Sequence, residues 1–327
     1  MPTKQNHEDV TMTLMKAAIC TRYGPPEVLV VTEVVKPQPR ADEVLVRIHA
    51  STVNSSDWFI RSGIPNEPIF TRVMMKLMIG VRRPRRQILG LIVAGEVVEV
   101  GAAVTRFDVG DRVFAFTKFH LGGYAEYTCL SEASTIGLAP TSLSFDEVAA
   151  ITFGGLLALH YLRKGGVKPG MRVLLYGASS GVGTAAVQLA KHLGAEVTAV
   201  CGPENADLVR NLGADHVLNY TKAATPPEGA RYDLVLDTVG KRKTSPLRTA
   251  CEHALRPGGR VLSVDDGTPK LSQSDLTELK DLAECGVLKP VIDRRYRLEE
   301  IVEAHLYVEQ EHKKGNVVIS IIPDAGR

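Results

Sequence analysis

The sequence predicts a two-part α/β protein: a compact barrel-like β domain, then a doubly wound parallel sheet with helices on both faces. Three observations predict it. The length, 327 residues, suits about two domains of roughly 150 residues each. From Lys16 to about Leu130, short β-rich runs are broken by Pro and Gly. From about Ser144 the rhythm changes to alternating helix and strand, which implies a parallel sheet covered on both faces.

In the first region the β runs are "KAAICT", "EVLVVTEVV", "EVLVRIHASTV", "LIVAGEVVEVG", "DRVFAF" and "YAEYTCL". One segment does not fit this series. "FTRVMMKLMIGVRRPRRQILG" sets Arg72, Lys76, Arg82, Arg83, Arg85 and Arg86 among methionines. It reads as a solvated, mobile basic loop near an opening, with contact to nucleic acid or an anionic substrate as the sharper alternative.

In the second region "FDEVAAITFGGLLALHYLRK" reads as helix, "RVLLYG" as strand, "GVGTAAVQLAKHLG" as helix and "EVTAVC" as strand. Helical "ENADLVRNLG", strands "HVLNY" and "DLVLDTVG", helical "PLRTACEHAL" and strand "RVLSV" continue the alternation. Helices "QSDLTELKDLAECG" and "LEEIVEAHLYVEQEHKK" precede a last strand, "NVVISII".

Bulk composition excludes more than it identifies. Apolar residues at 44%, charged residues at 23% and a formal net charge of +2 describe an ordinary globular chain, neither disordered nor strongly drawn to polyanions. The five cysteines form no CxxC pair and have no His at metal-finger spacing, so they read as reduced core thiols. Residues 1 to 13 look like a polar, mobile leader without the features of a signal peptide. No apolar run approaches the roughly 18 residues that span a bilayer, and a cytoplasmic protein is expected.

"YGASSGVGTAA" follows an apolar strand and opens a helix, the context in which a glycine pattern signals a dinucleotide. Gly177, Gly181 and Gly183 let the backbone turn tightly and approach a pyrophosphate. Its charge then meets unpaired N–H groups at a helix N-terminus. Ser179, Ser180, Gly181, Val182 and Gly183 are therefore candidate cofactor residues; a plain strand-to-helix turn is the alternative. Cofactor choice belongs to the end of the next strand, where NAD sites usually place Asp or Glu. Cys201 and Gly202 stand there instead, which favours NADPH over NADH. Glu204, just beyond, could repel a 2′-phosphate or point into solvent. Tyr220, after the following strand, could stack on adenine or donate to the phosphate.

Several long motifs in order carry a resemblance: "VNSSDWFIRSG", "AGEVVEVGAAVTRFDVGDRVFAF", "GGYAEYTCL", "ASSGVGTAAVQLAKHLGAEVTAV" and "LKPVIDRRYRLEEIVEAHLYVEQEHKKGNVVI". Over about residues 15 to 322 the chain resembles the zinc-free quinone oxidoreductase (zeta-crystallin-like) branch of the medium-chain dehydrogenases/reductases. The resemblance implies a GroES-like β-barrel domain over 1–140, completed by 287–327, and a Rossmann domain over 141–286, with a cleft where they meet. Zinc-using relatives have Cys where this chain has Asn54, and His then Glu at Leu91 and Ile92, so a tetrahedral N/S site is not expected. Many quinone reductases carry Tyr at Phe59 and a carboxylate at Ile92; both departures make the cleft more apolar. The stretch between "GGRVLSV" and "LKPVI" is about half as long as in zeta-crystallin, which removes an edge strand used for dimerisation. Monomer and homodimer stay open.

Hydride transfer needs the nicotinamide C4 held near an acceptor carbon and support for charge developing on oxygen. Asn54 is the candidate catalytic residue, its side-chain amide donating to an acceptor carbonyl or to the nicotinamide ribose. Capping a turn beside Asp57 is the alternative. Asp57 is expected to order the loop, since nothing near it in sequence raises its pKa. Trp58, Phe59 and Ile92 are expected in the substrate pocket. By resemblance Thr152 and Val239 face the nicotinamide half, and Asn316, where the family often has Lys, touches the cofactor from the last strand.

The expected activity is metal-free, NADPH-dependent reduction of a quinone or an α,β-unsaturated carbonyl. Alternatives are an enoyl or alkenal reductase of a biosynthetic pathway, and a weakly catalytic dinucleotide-binding protein that acts on RNA or a membrane through Arg82 to Arg86. A small-molecule substrate is expected as partner, rather than nucleic acid or membrane.

Overall fold

A computed structural model describes residues 13–64, 69–223, 225–240 and 245–322. The expected leader, except Thr13, lies outside them. In chain order the first part contains β1 (Leu14–Cys20), β2 (Leu29–Val35), β3 (Glu43–Val53), α1 (Ser55–Arg61) and α2 (Ile69–Ile79). There follow β4 (Ile92–Val100), β5 (Arg112–Phe116), β6 (Tyr127–Ser131) and β7 (Ile136–Leu138). The second part comprises α3 (Phe145–Gly165), β8 (Arg172–Tyr176), α4 (Gly181–His192), β9 (Glu196–Cys201), α5 (Ala206–Asn211), β10 (His216–Asn219), β11 (Tyr232–Asp237), α6 (Pro246–His253) and β12 (Leu255–Ser263). Last come α7 (Gln273–Glu284), β13 (Ile292–Arg297), α8 (Ile301–Glu309) and β14 (Asn316–Ser320).

The β domain is a seven-stranded sheet of order β13-β14-β3-β4-β5-β7, with β6 also on β3, beside the antiparallel hairpin β1-β2. β3 is the axis of this sheet because both of its faces are apolar and buried over most of its length. One edge of β3 takes β6 along Glu43–Arg47 and β14 along Ala50–Val53. The C-terminal strand is thereby stitched to the chain segment that leads into α1.

The parallel sheet has the order β10-β9-β8-β11-β12. The chain runs outward from β8 to β10, then crosses back to β11 and β12, leaving a switch point between β8 and β11 at their C-terminal ends. α3 joins the two domains. It is capped by the reciprocal pair Ser144 and Glu147 at one end and by left-handed Gly166 (φ 67°) at the other. Its apolar residues share one core with Ala50, Ile92, Phe114 and Val318 of the β domain and with Val182, Ala186, Leu234 and Leu236 of the parallel domain.

Several expectations need correction. α3 is long and apolar enough to cross a bilayer by length and composition, but 83% of that window is buried in the protein, as for a core helix. The first half of the supposed basic loop is the helix α2, two apolar residues of which, Met75 and Ile79, pack on the domain. β13, "IDRRYR", escaped sequence reading because its charged side chains hide the strand pattern; it forms by pairing parallel to β14. Among the described residues no strand pairs beyond β12.

Candidate active site and dinucleotide cradle

The glycine loop is built by close approach. At Gly177 (φ 80°) a Cβ would overlap Val239, and at Gly183 it would overlap the carbonyl oxygen of Gly177. Neither neighbour of Gly183 can yield, because both contacts are backbone. A Cβ at Gly181 would lie 2.6 Å from Asn316 Oδ1, and one at Gly154 of α3 would overlap Gly181 O. Ser180 caps α4, its Oγ accepting from Gly183 N at 2.9 Å and meeting Thr238 Oγ1 at 3.1 Å. The turn is thus fixed on three sides with the N-terminus of a twelve-residue helix behind it, the arrangement that receives a phosphate.

The returning C-terminal strand closes the cradle. Gly315 N donates to Ser179 O at 2.8 Å, and Lys313 Nζ donates to Gly315 O at 2.6 Å. Burial lowers the Lys313 pKa to about 8. Asn316 is buried, its Nδ2 donating to Val291 O at 3.2 Å while Oδ1 faces Gly181. The same strand reaches the other candidate site. β14 pairs Val317 with Val53, and this antiparallel register sets Asn54 level with Asn316.

Asn54 is 6% exposed and serves two ends of its amide differently. Its Oδ1 accepts from Ser56 N at 2.9 Å and Asp57 N at 3.3 Å, capping α1, and Asp57 Oδ2 accepts from Asn54 N at 3.1 Å. Asn54 Nδ2 has no partner. The capping alternative and the donor role are therefore compatible: the oxygen caps and the nitrogen is left to donate. A buried donor without a partner is costly, and a ligand oxygen would satisfy it.

Asp57 orders the loop as expected through its box with Asn54, but its pKa departs from expectation. It has no exposed surface, and burial pushes its pKa up to about 7, against partial relief from Asn54, Tyr124, Leu91 and Gly90. Nothing adjacent in sequence signals this; Gly90, Leu91 and Tyr124, whose hydrogen bonds partly offset the burial, are distant in the chain. The Tyr124 hydroxyl donates to Thr52 O at 3.2 Å, and its ring meets that of His305 edge-on at 5.8 Å. His305 is buried with both ring nitrogens unpaired, which lowers its pKa to about 3.

The predicted pocket residues divide. Phe59 is half-buried, packed on the cluster of Ile60, Leu91 and Leu121, and Trp58 is half-buried beside it. Ile92 has no exposed surface and lies in the main core with Ala94 and Phe114, so it backs the cleft instead of lining it. Thr152 is also fully buried; its hydroxyl donates to Val148 O at 2.6 Å within α3, leaving no surface for a ligand. Val239 is exposed over Gly177, and Tyr220 is exposed just past β10. Between the domains a cavity of about 510 Å³ is lined by Phe116, Thr117, Lys118, Leu271, Ser272 and Gln273, among others.

At the strand end Cys201 is buried, with its thiol pushed up to about 11 by burial. Glu204 lies at this strand end. Its carboxylate folds back over Gly202, Oε2 lying 2.7 Å from where a Cβ would be, so the place that lacked an acid in sequence holds one in space. Asn205, which sequence reasoning missed, is buried; its Nδ2 donates to Glu204 Oε1 at 3.1 Å and Ser179 Oγ at 3.3 Å, and its Oδ1 is unpaired. The signal available was only a polar residue just past a strand end. The cradle fits a dinucleotide: glycines where a Cβ would collide, a helix N-terminus, and unpaired buried amides at Asn54 and Asn205.

His49 stacks on Phe145 at 4.4 Å and its Nδ1 lies 3.1 Å from Ile322 O; His120 Nε2 lies 3.1 Å from Cys129 O. Among the described residues no three His, Cys, Asp or Glu side chains converge.

Comparison with known proteins identifies the family and the fold. A family profile described as "Alcohol dehydrogenase GroES-like domain" matches residues 40–140, and one described as "Zinc-binding dehydrogenase" matches residues 181–297. The chain is 32% identical to a spinach (Spinacia oleracea) chloroplastic quinone-oxidoreductase homolog, over 94% of this chain and 98% of that protein. It is 30% identical to an Arabidopsis thaliana chloroplastic NADPH-dependent alkenal/one oxidoreductase, over 94% of this chain and 80% of the other. The solved quinone oxidoreductase of Coxiella burnetii superposes with a TM-score of 0.82 at 28% identity, covering 95% of this chain and all of that one. Both plant relatives carry chloroplastic names, so they lend no support to the cytoplasmic expectation.

Proposed function

The chain belongs to the quinone oxidoreductase family of the medium-chain dehydrogenases/reductases, and from that premise we propose that it is an NADPH-dependent reductase of quinones and α,β-unsaturated carbonyls that works without a metal. The nicotinamide, when bound, supplies the hydride. The protein supplies placement and one hydrogen-bond donor. The observation that carries this reading is the unpaired Nδ2 of Asn54, level with Asn316 and so with the glycine cradle.

In this reading the loop from Ser179 to Gly183 and the N-terminus of α4 hold the pyrophosphate, with Val239 and Asn316 flanking it. Asn54 Nδ2 donates to the acceptor carbonyl as negative charge grows on its oxygen. Trp58 and Phe59 wall the apolar side. Hydride adds to the β-carbon of an enone, or to a quinone, and the resulting enolate or hydroquinone anion takes its proton from water. Metal independence is supported by the residues at the ligand positions: Asn54, Leu91 and Ile92 offer neither thiolate nor imidazole. NADPH preference is supported by Cys201 and Gly202 at the strand end. Glu204 is exposed and can rotate away from a 2′-phosphate, so it narrows that preference without abolishing it. The domain division at about residues 140 and 287 belongs to the same reading, with the acceptor in the cleft.

The test is a panel of ortho-quinones, para-quinones, 2-alkenals and cyclic enones with NADPH or NADH. Loss of nicotinamide absorbance with at least one acceptor class is expected. Nucleotide binding without turnover of any acceptor would overturn the proposal.

A further inference from the structure

α2 and the loop after it play no part in the site described above, yet they carry an exposed apolar face. Ile69, Phe70, Val73, Met74, Leu77 and Met78 are all exposed, from 48% at Met74 to 78% at Phe70. Their spacing puts them on one arc of the helix, opposite Met75 and Ile79, which pack on the cluster of Leu89 and Leu91. Scattered exposed apolar residues are ordinary; a contiguous face of six marks an interaction surface.

Cations rim this face. Arg72 and Lys76 lie along one border of the arc, and Arg82, Arg83, Arg85 and Arg86 follow the helix, all four exposed. None of the six forms an ion pair with a described carboxylate. The loop is held in place: Arg85 N donates to Ile79 O at 2.7 Å, and Tyr23 Oη donates to Gly80 O at 2.7 Å. Apolar arc and arginines are therefore presented together.

We propose that α2 and the arginine loop dock this protein on the surface of an anionic lipid bilayer. The apolar arc enters the headgroup boundary and the arginines meet lipid phosphates and carboxylates, the pattern of an interfacial amphipathic helix. Charge complementarity selects this occupant. A second copy would bring the same unpaired cations against each other across a two-fold axis. A nucleic acid would use the arginines but leave Ile69, Val73, Leu77 and Met78 in water. The proposal is independent of the acceptor assigned above.

The full chain would be sedimented with vesicles of phosphatidylcholine alone and of phosphatidylcholine mixed with phosphatidylserine. Binding to the mixed vesicles, weakened by salt, is expected. Replacing Arg82, Arg83, Arg85 and Arg86 with Ser should lower it about 1000-fold, and F70S/L77S should lower it at least about 10-fold even at low salt. Both variants should keep the wild-type melting temperature. Absence of binding to mixed vesicles, or unchanged binding in both variants, overturns the proposal. So does a dimer that F70S/L77S dissociates, which would assign the face to a second copy, or retention on RNA without vesicle binding.

Discussion

Asn54 and Asp57 hold each other reciprocally: the Asn54 side-chain oxygen accepts from the Asp57 N–H, and the Asp57 carboxylate accepts from the Asn54 N–H. This box uses only the oxygen of the amide. The cap and the donor can therefore be separated by mutation. Asn54→Ser keeps a good N-cap, with stability within about 0.5 kcal/mol of wild type, but loses the amide donor, so kcat/KM should fall about 100-fold. Asn54→Ala loses both and should cost about 1 kcal/mol more. Denaturation and acceptor turnover, measured on both variants, check the split; unchanged kcat/KM in Asn54→Ser would remove Asn54 from the chemistry.

Gly183→Ala tests the cradle. The added Cβ would meet backbone of Gly177 and Ala178, which no rotamer change relieves. Nucleotide affinity should fall at least about 10-fold, since one misplaced phosphate N–H already costs that much. Titration by nicotinamide fluorescence reads the change. Gly181→Ala, whose Cβ would meet the side chain of Asn316, should be milder.

Glu204 sets the margin of cofactor choice. Its carboxylate lies over Gly202, where the ribose edge of a dinucleotide is read. Glu204→Gln removes the charge while keeping an acceptor for Asn205 Nδ2, and should raise the NADPH-to-NADH ratio of kcat/KM about 10-fold. An unchanged ratio would mean that the carboxylate turns away before nucleotide binds.

Asp57 and His305 give opposing pH dependences. Asp57 has its folded pKa raised to about 7, above roughly 3.9 unfolded. The folded state therefore binds the extra proton, and stability falls as pH rises from about 4 to about 7. His305 has its folded pKa lowered to about 3, below roughly 6.5 unfolded. There the unfolded chain binds the proton, and stability falls as pH drops from about 6.5 to about 3. The two slopes nearly cancel between about pH 4 and 6.5. Relative to wild type, denaturant midpoints across that window should rise more steeply with pH in Asp57→Asn and should tilt downward with pH in His305→Gln. Parallel slopes in all three proteins would refute the assignment.

Most of the fold was legible because its signals are local. Alternating helix and strand patterns from Ser144 onward, and the glycines of "YGASSGVGTAA", depend on residues within a turn or a strand of one another. β13 and α2 were not legible. The first is a charged segment made a strand by β14, the second a helix whose apolar arc faces outward.

By itself the sequence determined the alternation of helix and strand that makes a parallel sheet and the glycine loop that opens α4, since each follows from residue type at short spacing. Tertiary structure alone decided where Glu204 lies, that Ile92 and Thr152 have no exposed surface, and that Asp57 is desolvated. It also decided which atom of Asn54 is free. The reason is physical: burial and hydrogen-bond satisfaction are set by neighbours distant in the chain, such as Tyr124 beside Asp57 and Asn316 beside Gly181.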